Sequence, residues 1–319
     1  MKHTKPMILA ALAVITLLSF AACDAVLGSL VSGRVVNVLS SGSEESYFKT
    51  GDGAASLVGA SITLTNIDEP NNFVSVSVND DGSYAVGGLK AGMYRISGSK
   101  SGWTFIPQEV YIGGSILNLP DTLAYPTDEA GALTVVMAWE ETDYDIDLKA
   151  SYGKTIDSEN DKLLESELIT TGASTGSGPG YSLTLERDVT LDTPTDLPRV
   201  ETIAIDAANG AIGNANYDGG HEIRFYADLF SKDDGSTYGA EDEGSLTGDD
   251  NEAPAYATMY VMFDNLHYGT WTLPLNSAEK TINMINVYVY DGGNGNSAFK
   301  VYSSGNYGDD VYLSVEGQY

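Results

Sequence analysis

The sequence is poor in cysteine, in histidine and in basic residues. One residue of 319 is a cysteine, Cys23, so no disulfide can close within the chain. With no cysteine beyond Cys23 and only two histidines, His221 and His267, past the N-terminal segment, a structural zinc site, which needs four such ligands, is not expected. Lys and Arg number 16 against 45 Asp and Glu, a net charge of −29. A phosphate backbone needs a basic face, so nucleic acid is excluded as a partner. After the first two dozen residues no apolar run is long enough to span a bilayer. Neither a G-x-G-x-x-G nor a Walker motif occurs.

What is present begins with a basic start, Met1-Lys2-His3-Thr4-Lys5, and an apolar run from Met7 to Ala22. The run is short and early, as the core of a signal peptide is. It ends Ser19-Phe20-Ala21-Ala22-Cys23, which resembles the lipobox of bacterial lipoprotein signals, with Phe20 where Leu is usual. The resemblance implies cleavage before Cys23 and a covalent lipid on its thiol. It also accounts for the lone exported cysteine. Residues 1–22 are then signal peptide and 23–29 a lipidated tether. The expected location is the bacterial cell envelope, at the outer membrane or cell surface, held to the membrane by the lipid anchor. Removing residues 1–22 leaves 14 basic and 45 acidic residues, a net of −31.

Short runs of Val, Ile, Thr, Tyr and Phe alternate with turn residues, including 35 Gly. This is the pattern of an all-β protein built from β-sandwiches. Ser61-Ile62-Thr63-Leu64-Thr65 and Val74-Ser75-Val76-Ser77-Val78 alternate as half-buried strands do. Asn79-Asp80-Asp81-Gly82 reads as a hairpin turn after the second of them. Asp161 to Leu168 gives the only helical hint. A polar stretch, Ala124 to Gly131, marks a linker between a sandwich at 30–123 and an acidic sandwich at 132–319. The charge shifts there, from a net of −7 over 23–131 to −24 over 132–319. Two long exposed loops are expected, at Gly172–Gly180 and Ser231–Pro254.

In the first module, Gly59-Ala60-x-Ile62-x-Leu64, Asp81-Gly82-Ser83-Tyr84, Gly88-Leu89-x-Ala91-Gly92-x-Tyr94-x-Ile96 and Gly102-Trp103-Thr104-Phe105-x-Pro107 follow in order. Together they resemble carboxypeptidase-regulatory-like modules, relatives of the Cna-B and transthyretin-like sandwiches. The resemblance implies a seven-stranded accessory or stalk module rather than a catalyst. Each residue also has a structural job, and Trp103 reads as a core plug. The opening of the second module, Val135 to Trp139 followed by Asp143 to Leu148, is similar to pre-peptidase C-terminal domains.

Alternation places Asp143, Asp145 and Asp147 on one strand face and Tyr144, Ile146 and Leu148 on the other. Three carboxylates so placed are either a solvated edge or a cation site. Calcium suits them, because it takes six to eight oxygens. Asn214-Ala215-Asn216-Tyr217-Asp218-Gly219 is a second acidic point. Neither stretch makes an EF-hand, since Leu148 and Phe225 fall where its glycine and closing glutamate belong. A calcium site would therefore draw on Asp143, Asp145 and Asp147 together with Asn214, Asn216 and Asp218.

Gly172-Ala173-Ser174-Thr175-Gly176 fits the G-x-S-x-G expression of serine hydrolases but lacks a strand–elbow–helix setting. His221 and His267 are the histidines left to serve it. Twenty tyrosines suit glycan or protein binding where exposed and core packing where buried. The functional expectation is a non-catalytic binding or structural module, stabilised by calcium and contacting glycan or a surface protein. A serine hydrolase using Ser174 and a subunit of a surface assembly are the alternatives.

Overall fold

A computed structural model of the chain describes residues 29–39, 49–50, 55–113, 116–127, 133–140, 144–157, 162–169, 174–178, 181–190, 192–193, 198–207, 221–232, 255–263, 266–275, 281–293, 296–303 and 315–318. Among these residues every regular element is a strand, and the protein is all-β. It divides into two compact units. The first gathers the chain up to Val36, Leu57–Ser101 and Phe105–Thr122. The second gathers Asn37–Ser56, Gly102–Thr104 and Leu123–Tyr319.

The early strands are β1 (Ser29–Asn37), β2 (Lys49–Thr50), β3 (Ala55–Ser56), β4 (Ser61–Asn66), β5 (Phe73–Ser77) and β6 (Ser83–Leu89). Then come β7 (Gly92–Ser99), β8 (Trp103–Phe105), β9 (Gln108–Ile112), β10 (Ile116–Asn118) and β11 (Thr122–Pro126). One sheet runs β10-β1-β11-β8 with β6 also on β1; another runs β5-β4-β7-β9. Their alternation is the alternation of the sequence. Ile62, Leu64, Tyr94 and Ile96 are fully buried, while the residues between them face outward. Gly33 has a defined job: a side chain there would meet the ring of Tyr84, its partner across β1 and β6. The hydroxyls of Tyr84 and Thr122 lie 3.0 Å apart in the core.

Two expectations need correction here. Asn79–Gly82 is a tight turn, with Gly82 at φ 78 and its N–H on Asn79 O at 3.1 Å. It is not a hairpin, because β5 and β6 belong to different sheets; the turn hands the chain from one layer to the other. The start of the stretch expected as a linker, Ala124 to Pro126, belongs to β11, and residues 128–131 lie outside the described residues. Leu123, Ala124 and Tyr125 are buried within β11, since three apolar residues in a row satisfy a strand covered on both faces. Trp103 is buried.

The later strands are β12 (Leu133–Ala138), β13 (Tyr144–Asp157), β14 (Lys162–Ile169), β15 (Thr175–Gly178), β16 (Tyr181–Arg187) and β17 (Val200–Ala207). They continue as β18 (His221–Lys232), β19 (Ala255–Phe263), β20 (Leu266–Leu275), β21 (Thr281–Gly293), β22 (Asn296–Ser303) and β23 (Val315–Gln318). Two six-stranded sheets result, ordered β15-β16-β17-β12-β19-β20 and β14-β13-β18-β21-β22-β23. Val135, Met137, Ile203 and Val261 from the first pack with Ile146, Leu148, Phe225 and Ile285 from the second.

The helical hint at Asp161–Leu168 is overturned. Lys162–Ile169 is strand β14, paired antiparallel to β13 with Asp157 opposite Lys162. Long-range pairing outweighs a weak local preference. The loop expected at Gly172–Gly180 contains β15, which pairs with β16 so that Gly178 faces Tyr181. Residues 233–254 of the second expected loop lie outside the described residues.

Candidate metal centre in the second module

β13 carries Tyr144, Ile146 and Leu148 into the core, as its alternation requires. The intervening Asp145 and Asp147 are nonetheless buried, at 5% and 7% exposure, so the solvated edge is corrected. Asp147 sits opposite Asp228 of β18. Lys149, two residues along on the same face, lies 3.5 Å from Asp147 Oδ2 and donates to Asp228 Oδ2. Thr281 Oγ1 donates to the other oxygen of Asp228.

A third buried acid comes from the facing sheet. Glu201 shares the parity of Ile203 and Ile205 on β17 and so points inward, at 1% exposure. Its Oε2 accepts the N–H of Leu148 on β13 at 2.6 Å, and its Oε1 accepts the N–H of Val189, just past β16, at 3.1 Å. One carboxylate thus joins both sheets of the module. Exposed Asp188 completes the cluster: Asp147, Asp188 and Glu201 each place a carboxylate oxygen within 4.8 Å of the others.

Burial pushes Asp147 up to about 6; Lys149 pulls it back, while Asp145, Asp188 and Asp228 push it further. Glu201 is raised well above the usual carboxylate range, chiefly by burial. The Leu148 and Val189 N–H groups oppose that rise, and Asp147 and Asp188 add to it. Such a cluster holds its charge poorly by itself. Burial and like charge favour its protonated form or a bound cation. Calcium–oxygen distances of about 2.3–2.6 Å put opposite ligands about 5 Å apart, which matches the spread of this trio. Carbonyls or waters would fill the remaining positions.

Of the residues expected to hold calcium, Asp147 is in the cluster. Asp145 is its neighbour on the strand, felt by Asp147 as a like charge but outside the trio. Asp143, Asn214, Asn216 and Asp218 lie outside the described residues, as does Cys23. The sequence reading missed Lys149, Asp188 and Glu201. Two had a signal: Lys149 continues the Asp145–Asp147 alternation, and Glu201 interrupts a core-facing series at an inward position. Asp188 had none.

Ser174 is exposed and immediately precedes β15, where a nucleophile elbow would need a strand ending in a turn and a helix. Its carbonyl accepts the N–H of Leu185 at 2.7 Å, a hairpin contact. His267 lies on β20, at the opposite edge of the same sheet. Five strand intervals of about 4.8 Å separate the two strands, far beyond proton-transfer reach. The His267 ring instead bonds Gly269 O and Thr270 Oγ1, both at 2.9 Å, and burial lowers its pKa. His221 pairs with Val289 at the start of β18. Tyr84, Tyr94, Tyr125 and Tyr152 are buried, whereas Tyr111 and Tyr256 are exposed.

No family model matches this chain, and no curated protein matches it. Among solved structures it overlaps BcpA, the major pilin subunit of Bacillus cereus, at 10% identity and a TM-score of 0.24, over 91% of this chain and 84% of that one. A candidate carbohydrate-binding protein from Bacteroides uniformis overlaps at 12% identity and a TM-score of 0.21, over 62% and 88%. The full-length major pilin SpaD of Corynebacterium diphtheriae overlaps at 9% identity and a TM-score of 0.22, over 82% and 65%. Overlaps this shallow say nothing about what the chain binds.

Proposed function

We propose that the chain is a non-catalytic binding or structural module of the bacterial cell envelope, tied to a membrane through lipid on Cys23. Its second sandwich is clasped by calcium at Asp147, Asp188 and Glu201. The partner class is a glycan or a surface protein. Glu201 carries the reading. A carboxylate at 1% exposure, bonded to backbone N–H groups of two strand-linked segments and beside two like charges, is built to hold sheets together. Binding calcium only when folded adds about 2.7 kcal/mol at one hundred times Kd.

The test is thermal melting of the mature chain in roughly millimolar calcium, the range of extracellular modules, against EDTA. Calcium should raise the Tm of the wild type. Asp188→Asn, an exposed change that leaves the core intact, should blunt the rise, and Asp249→Asn should not. A Tm unmoved by calcium or chelator, with no metal found by elemental analysis, sinks the calcium clasp.

A further inference from the structure

The outward face of the β5-β4-β7-β9 sheet carries no net charge. Among the outward positions of these four strands only Arg95 and Glu109 are charged, and they neutralise each other at 2.7 Å. The chain as a whole carries −29. The other outward positions are mostly hydroxyls in register. Ser77, Ser61 and Ser99 form one row, and Ser75, Thr63 and Ser97 the next. Thr63 Oγ1 and Ser75 Oγ lie 2.8 Å apart.

Beyond the hydroxyls the face presents exposed apolar side chains on either side of that ion pair. Phe73 on β5 is 59% exposed and Tyr111 on β9 is 63% exposed. They stand on the two edge strands, which are about 14 Å apart by three strand intervals, and one row apart along them. Phe73 shares its row with Thr65, Arg95 and Glu109, whereas Tyr111 shares the next row with Met93, directly opposite it, and with Ile67, bonded through its N–H to Met93 O. Tyr111 is not a loose side chain. Its ring lies across the backbone of Gly113, where a Cβ would come within 2.4 Å of Cε1. A ring laid down this way offers a flat apolar platform with a hydroxyl at its rim.

We infer that this face binds a neutral glycan chain. Sugar rings present apolar C–H faces to flat aromatic rings and hydroxyls to Ser and Thr, and the sheet offers both side by side. The missing net charge selects the ligand: an anionic polymer would be repelled by the acidic chain, and a cationic one would find stronger ground on any other acidic surface. An apolar patch kept exposed beside a hydroxyl field marks a contact surface. The inference rests on reading the chain as an envelope binding module, and it assigns the ligand class and the face.

Affinity electrophoresis of the full mature chain in gels containing dextran, mannan or polygalacturonate tests it. The wild type should be retarded by at least one of the two neutral polymers, with calcium or with EDTA, and not by polygalacturonate. Tyr111→Ala should weaken that retardation about tenfold, the loss of one aromatic platform. Gly113→Ala should weaken it too, because the new Cβ tilts the ring without removing it. Circular dichroism should show both variants folded. No retardation by either neutral polymer, or retardation unchanged in both variants, overturns the inference while leaving the calcium clasp and the anchor standing. A dimer of the wild type that Tyr111→Ala converts to monomer also overturns it, since the face would then be a contact between copies.

Discussion

Asp147 and Lys149 show how two residues on one strand face acquire opposite duties. Lys149 spans Asp147 and Asp228, yet burial and three further acids still hold Asp147 near 6. Its ordinary value is 3.8. The folded state therefore favours the protonated form, and Glu201 shifts in the same direction. Without a cation, the stability this provides is complete below about pH 3.8 and is lost as pH rises through about 6. The two-unit rise corresponds to at most about 3 kcal/mol. In EDTA, the wild type should lose Tm relative to Asp147→Asn as pH climbs from 4 to 7, since the amide mimics the protonated acid. Adding calcium at pH 7 should restore the wild type and leave Asp147→Asn unchanged. Parallel Tm–pH curves for the two proteins would show that Asp147 does not titrate as argued.

At the level of elements, β13 shows what the sequence can and cannot reveal. Its alternation correctly sends Tyr144, Ile146 and Leu148 inward, because a strand's period is a local property. The other half of the clasp arrives from Glu201, 53 residues beyond Leu148, and only the stacking of two sheets brings it there. No spacing rule announces such a partner. The same limit misled the reading of Lys162–Ile169, whose strand state comes from pairing with β13, and of Asn79–Gly82, where the turn was legible but not the sheets it connects. The layered all-β class was legible because every alternating run reports it independently. Two consequences belong to this scale. Phe225 is fully buried in β18 between β13 and β21, so Phe225→Ala should cost about 3–5 kcal/mol in denaturant melts. Ser174→Ala should change neither stability nor any measured hydrolysis, because its strand leads into a hairpin. Covalent labelling of Ser174 by a fluorophosphonate would contradict this.

For the whole molecule the question is what would hold a chain of net −31 at a membrane. Bacterial bilayers expose anionic headgroups, so the mature chain is repelled rather than drawn to them. The 14 basic residues are spread along the mature sequence and do not gather in one run that could offset this. The attachment proposed above is through the lipid expected on Cys23. A single acyl chain anchors only marginally, and two chains on one thiol are needed for stable residence. A lipid-held protein differs from a charge-held one in its response to salt. Salt on the order of 1 M shrinks the Debye length to about 3 Å and dissolves electrostatic adhesion, but it strengthens apolar insertion. The wild type should therefore stay with the membrane fraction through a high-salt wash and leave it only in detergent. Cys23→Ser should appear in the soluble fraction or persist as uncleaved precursor. Intact-mass measurement should find the wild-type mature chain heavier than its sequence by a diacylglyceryl group. A mature N-terminus of unmodified mass would remove the anchor, and an envelope role would then need a protein partner to hold the chain in place.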